Sequence, residues 1–245
     1  MNIRAFIVFT VTVLSTVIIS CGNAQTTPKT SSDASSNELK YPQWEEQAKT
    51  NVRLLPKYGN RSKTEHQKEA DDRLIDSYVN QHGSRTKGSE VLISIGFEYL
   101  YRKDIKTAMY RFNQAWLLDS LNTDVYWGYG AVYFSLEQPA LAMTQYEEGL
   151  RINPNNSRII TDKATIYMAE YQTTNDENKL KIAISLLTQS YSLNPNDQNT
   201  LFKLSTCHFL NNDCVNAKKY YNECMRLGGR PVSQAYTMAL NEKCK

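Results

Sequence analysis

The sequence predicts an all-α fold: a solenoid of four helical hairpins, with a leading helix before them and a capping helix after them. Three observations predict it. A tyrosine recurs at Tyr99, Tyr133 and Tyr167, with His208 in the same slot, at intervals of 34, 34 and 41 residues. An alanine recurs at Ala108, Ala142, Ala183 and Ala217, at intervals of 34, 41 and 34. Proline follows the second helix of two copies, at Pro154 and Pro195, where the missing amide hydrogen ends a helical ladder. A fixed period of this length marks stacked units, each unable to bury its apolar face alone.

The 245 residues are 41% hydrophobic and 22% charged, ordinary for a chain that packs a core. The 28 basic and 25 acidic residues leave a formal charge of +3, too balanced to suggest a nucleic-acid partner. The 16 tyrosines suit both helix packing and wet binding surfaces.

Residues 1–20 read as a leader. Arg4 supplies positive charge, and Ala5 to Ile19 is an apolar run without charge, as long as a signal-peptide core and too short to span a bilayer comfortably. Cys21 follows Ile18-Ile19-Ser20, and this ending resembles a bacterial lipobox. The resemblance implies cleavage before Cys21, acylation of that cysteine and attachment to an envelope membrane through acyl chains. An ordinary secretory leader cut a few residues later is the alternative. Gly22 stands where an aspartate often marks retention at the inner membrane in lipoproteins of Gram-negative bacteria, so the outer membrane is the expected location. The rest of residues 21–40 is Ser/Thr-rich and nearly without large apolar groups; it cannot bury enough surface to fold and reads as a tether reaching about 60 Å.

Residues 41–88 read as an arm and a leading helix. Trp44, Val52, Leu54 and Leu55 precede Pro56 and predict an arm, part helix and part extended, that packs on the domain; folding into its own groove is the alternative. Ser62 and Glu65 have capping-box spacing, and Ala70, Leu74, Ile75, Tyr78 and Val79 form an apolar stripe at helical spacing. Gly83 is the expected stop.

The repeats are expected at 89–122, 123–156, 157–197 and 198–231, with a capping segment at 232–245. In the second, Tyr126, Tyr129-Gly130, Tyr133, Ala142, Tyr146, Gly149 and Pro154 fall where a tetratricopeptide repeat places its bulky, small and terminating residues, and the other copies resemble it in phase. Gly96, Gly130, Ala164 and Ser205 are the small positions at which paired helices approach. Lys163 departs at a usually apolar site, and Gly229 stands where proline is usual. The seven extra residues of the third copy, between Tyr167 and Ala183, are expected as a longer turn around the polar Thr173–Lys179. A closing helix is expected from about Val232 to Lys243. The resemblance implies a right-handed superhelical solenoid whose first helices line a concave groove.

No catalytic constellation is present, and no cofactor is implied. His66, His82 and His208 are scattered, and no metal site is expected. The family resemblance points instead to a non-enzymatic scaffold binding an envelope protein or peptide segment. Groove-facing candidates by phase are Phe97 and Tyr101, then Trp127 and Phe134, then Arg158 and Asp162, then Phe202 and Phe209. Ile93, Leu100, Ala131, Thr165, Met168 and Thr206 share that phase. Some family members clamp a peptide C-terminus with Lys, Arg and Asn; here Ile93, Phe97 and Ala131 stand in those places, so an extended or helical apolar segment is the expected ligand. A carbohydrate or small ligand stacked on the aromatic row is the alternative. Cys214 begins the second helix of the fourth hairpin and Cys244 ends the antiparallel closing helix beside it, so these two are the favoured disulfide pair in an exported protein. Cys207 and Cys224 face inward by phase.

Overall fold

A computed structural model describes residues 39–245; the leader, Cys21 and the tether up to residue 38 lie outside the described residues. Eleven α-helices are formed among the described residues: α1 Tyr41–Thr50, α2 Glu65–His82, α3 Arg85–Tyr101, α4 Ile105–Leu118, α5 Asp124–Ser135, α6 Pro139–Ile152, α7 Ser157–Thr174, α8 Glu177–Leu193, α9 Gln198–Leu210, α10 Cys214–Arg226 and α11 Gln234–Lys243. The pairs α3/α4, α5/α6, α7/α8 and α9/α10 are tight hairpins, and each hairpin packs on the next. The first helices also touch one another, α3 with α5, α5 with α7 and α7 with α9, so they share one face of the solenoid.

The repeated small residues set the spacing. A methyl group at Gly130 would lie 2.0 Å from the ring of Tyr146, and one at Gly96 would lie 2.5 Å from Phe112; both rings are fully buried between paired helices. In the fourth hairpin Ser205 replaces the glycine, and its hydroxyl donates to the Ala217 carbonyl across the pair at 2.8 Å. α6 and α8 both end two residues before their prolines. Lys163, at the departing site, is largely covered and pairs with Glu147 of the preceding hairpin at 3.3 Å.

Four boundaries differ from expectation. Thr64, not Ser62, caps α2, in a reciprocal box with Gln67. α3 begins at Arg85 rather than at residue 89, with Ser84 as its cap. The guanidinium of Arg85 donates to the carbonyls of Leu117 and Leu118 at 2.8 Å each, which closes the first hairpin. The insertion in the third hairpin is not a long turn: α7 has 18 residues against 12 in α5, and α8 has 17 against 14 in α6. Only Asn175, in the left-handed region, and the cap Asp176 separate them. α11 begins at Gln234, after Ser233 as its cap.

The arm packs on the domain, but not along the first helices. After α1 it makes two short 3-10 segments, which lie against α4. Trp44 and Leu54 are buried in the main core. Lys57, Tyr58, Gly59 and Asn60 have φ of 56°, 55°, 65° and 54°, a single left-handed turn that costs about 1–2 kcal/mol for each non-glycine residue.

α2 packs on α3 through Ile75, Tyr78 and Val79 and has no fully buried residue. α11 closes the other end through Tyr236 and Leu240. Cys214 and Cys244 are joined by a disulfide, with Cα atoms 5.3 Å apart. Cys207 and Cys224 are fully buried.

Candidate functional site

The groove candidates separate into three groups. The first is a ladder crossing all four first helices. Phe97 of α3 lies against Trp127 of α5, ring centroids 4.0 Å apart. The Trp127 indole donates to Asp162 Oδ2 of α7 at 2.7 Å, and Asp162 Oδ1 accepts from Lys203 Nζ of α9 at 3.3 Å. Arg158 approaches the Trp127 ring to 5.6 Å and pairs with Asp124. These groups are therefore tied to one another, and their charges are met within the chain.

The second group is free. Tyr101 is 92% exposed and Phe134 39% exposed. Each stands in the last turn of a first helix, in adjacent hairpins. Beside Tyr101 an open, mainly apolar hollow of about 700 Å³ is lined by Ser94, Phe97, Glu98, Leu100, Tyr101 and Arg102. Glu98 and Arg102 sit 4.0 Å apart, so the hollow offers apolar surface with its charges paired.

The third group is covered. Phe209 is only 8% exposed, because Tyr236 of α11 packs edge-on against it at 5.7 Å and against Phe202 at 5.2 Å. Lys243 adds a hydrogen bond to the Phe209 carbonyl at 2.9 Å. The expectation of a free aromatic anchor in the fourth hairpin is corrected: the closing helix takes that surface. Ile93, Met168 and Thr206 are likewise buried.

The chemistry of the remaining groups is structural. Burial pushes the Cys207 thiol up to about 12, far from a reactive thiolate. His208 stacks on Tyr220 and faces Asp213 at 3.0 Å. Burial raises the hydroxyls of Tyr133 and Tyr236 to about 12 and those of Tyr129 and Tyr146 well above the usual value. Among the described residues no group of three or more His, Cys, Asp or Glu could hold a metal ion, and no helix is long and apolar enough to cross a membrane.

The sequence did not single out the arm's docking face. Asn113 donates to the Arg53 and Leu55 carbonyls at 2.8 and 3.0 Å and accepts from the Tyr129 hydroxyl at 2.8 Å. Tyr129 also accepts from the Lys57 amide at 3.2 Å. Asn51 donates to the Tyr110 hydroxyl at 2.8 Å, Arg53 lies 3.9 Å over the Tyr110 ring, and Lys57 pairs with Glu148 at 2.6 Å. The available signal was the departure of Tyr110 from the polar Thr144, Ser185 and Lys219 at the equivalent positions of the other hairpins.

A family model described as a tetratricopeptide repeat matches residues 123–156. No curated protein matches the sequence. Among solved structures, PilF of Pseudomonas aeruginosa is similar at 17% identity, over 71% of this chain and 69% of that one, with a TM-score of 0.51. The Cut9–Hcn1 hetero-tetramer of the APC/C matches at 16% identity, over 72% and 31%, with a TM-score of 0.48. MamA matches at 14% identity, over 67% and 86%, with a TM-score of 0.42. The matched segment, α5 and α6, is thus a tetratricopeptide repeat, and the hairpins on either side of it are built on the same helix pairing, so the fold is that of a tetratricopeptide-repeat solenoid.

Proposed function

We propose that this protein is a non-enzymatic scaffold that holds an apolar segment of an envelope protein on the inner face of its repeats, and that acylated Cys21 tethers it to a bacterial membrane, the outer membrane in the first instance. The fold supports a role in protein–protein interaction. The observation that carries the site is the exposure of Tyr101 and Phe134 in the last turns of adjacent first helices, with an apolar hollow beside Tyr101. Exposed aromatic groups of this kind are typical interface anchors. The carbohydrate reading is weaker, because the Trp127 ring that would serve as a stacking platform already lies against Phe97.

A photo-crosslinker at position 101 tests the site in intact cells. The expected result is capture of a defined envelope protein, lost when Phe134 is changed to alanine. Capture of the same proteins with and without Phe134 would sink the groove reading. The anchor is tested separately. Cys21→Ser should move the protein from the membrane to the soluble fraction; continued membrane association would refute acylation as the attachment.

A further inference from the structure

We propose that the outer face of the first two hairpins is a peptide-binding site in its own right, distinct from the concave face, and that the arm, residues 41–60, is its ligand.

The face is specialised. Tyr110 and Asn113 of α4 grip the arm. Their equivalents in the other hairpins are Thr144 and Glu147, Ser185 and Thr188, and Lys219 and Asn222, all of them exposed. The hairpin fold therefore does not call for an aromatic at the first of these positions, and at the second the same amide, Asn222, stands exposed in the fourth hairpin. Asn113 is fully buried, between the arm and Tyr129. Its amide reads two main-chain carbonyls, which is how a peptide is held through its backbone, while Trp44 and Leu54 fill apolar pockets at 1% and 0% exposure.

The arm has the character of a ligand. Its one α-helix has 10 residues, too short to stand alone in water. Its left-handed turn places three non-glycine residues at positive φ, a conformation held by the Lys57 contacts to Tyr129 and Glu148. The Trp44 indole N–H is buried without a hydrogen-bond partner, so the fit is short of optimal. Residues 61–64 that join the arm to α2 are mostly exposed. A segment that folds on its receptor through a short linker is a tethered ligand with a high effective concentration. The site selects a tryptophan, a small residue one helical turn later and a leucine ten residues after the tryptophan, as in Trp44, Ala48 and Leu54.

The probe is a labelled synthetic peptide of residues 41–60, titrated into the full-length protein and followed by fluorescence anisotropy. Wild-type protein should bind it weakly, because its own arm competes. Trp44→Ala in the chain should loosen that arm and tighten peptide binding by about tenfold or more. Adding Asn113→Ala should abolish the gain. Leu54→Ala is the second variant, with the same expected order. No binding to either loosened chain overturns the proposal, as does equal binding to wild type and variant, or binding that survives Asn113→Ala. Loss of helical circular dichroism in both Trp44→Ala and Leu54→Ala also overturns it, since a ligand is dispensable to the fold of its receptor.

Discussion

Asn113 is a buried amide whose hydrogen-bonding groups are engaged by the arm and by Tyr129. Truncation would take from the Arg53 carbonyl its donor and from the Tyr129 hydroxyl its acceptor, while the Leu55 carbonyl keeps the Tyr58 amide and Tyr129 keeps the Lys57 amide, so Asn113→Ala should destabilise the protein by about 1–3 kcal/mol. The equivalent exposed Asn222→Ala should cost less than about 0.5 kcal/mol. Urea unfolding of the two variants side by side checks the contrast. The buried tyrosines give a second test. Their folded hydroxyls titrate above the ordinary value of 10, with Tyr133 and Tyr236 at about 12, whereas in the unfolded chain they titrate near that ordinary value. Between these limits the unfolded state loses the proton first, so stability is fully present below pH 10 and falls as pH rises towards 12. Tyrosinate absorbance should show a set of residues that ionise only together with unfolding; a single transition near the ordinary value in the folded protein would refute their burial.

At the scale of the element, the two ends of the solenoid are closed differently. α2 is held by half-buried side chains, while α11 carries Tyr236 into the aromatic groups of α9 and is fastened by the Cys214–Cys244 disulfide across 30 residues. Replacing both cysteines by serine should cost about 2–4 kcal/mol. Hydrogen exchange should place the loss in α11 and the start of α10, with α3 and α4 unchanged; a uniform loss would mean that the disulfide acts on the whole core. The boundaries that sequence misplaced have physical reasons. Ser62–Glu65 and Thr64–Gln67 both satisfy the capping pattern, and only packing decides between two registers that differ by two residues. Thr173–Lys179 is polar, as loops are, but an outward helical face is polar too. Thr174 bonds back to the Glu170 carbonyl at 2.7 Å, and Asn175 supplies the left-handed stop, so the helices lengthen and the turn stays short. By contrast, the small positions that set the hairpins were legible, because Gly96 and Gly130 meet rings that leave no room for a side chain.

At the scale of the molecule, the inner face divides into what holds the solenoid and what is left for a partner. Phase alone could identify residues on that face, but it could not show that Trp127 is spent on Asp162 or that α11 lies over Phe209. The ladder from Phe97 through Trp127 and Asp162 to Lys203 links four successive hairpins, so truncating Trp127 would disturb stability and binding together and could not separate them. Tyr101 and Phe134 can. Their side chains project from the last turns of α3 and α5 and take no part in that ladder. The paired double variant Tyr101→Ala and Phe134→Ala should leave the melting temperature within a few degrees of wild type, as expected of exposed positions. The same variant should lose a partner that depends on an apolar anchor, typically about 2 kcal/mol or more for such a contact. Because the neighbouring charges are paired within the chain, the interaction should also weaken little between low and moderate salt. A partner that survives the double variant, or that is released by modest salt, would place recognition on charged surface elsewhere and not on Tyr101 and Phe134.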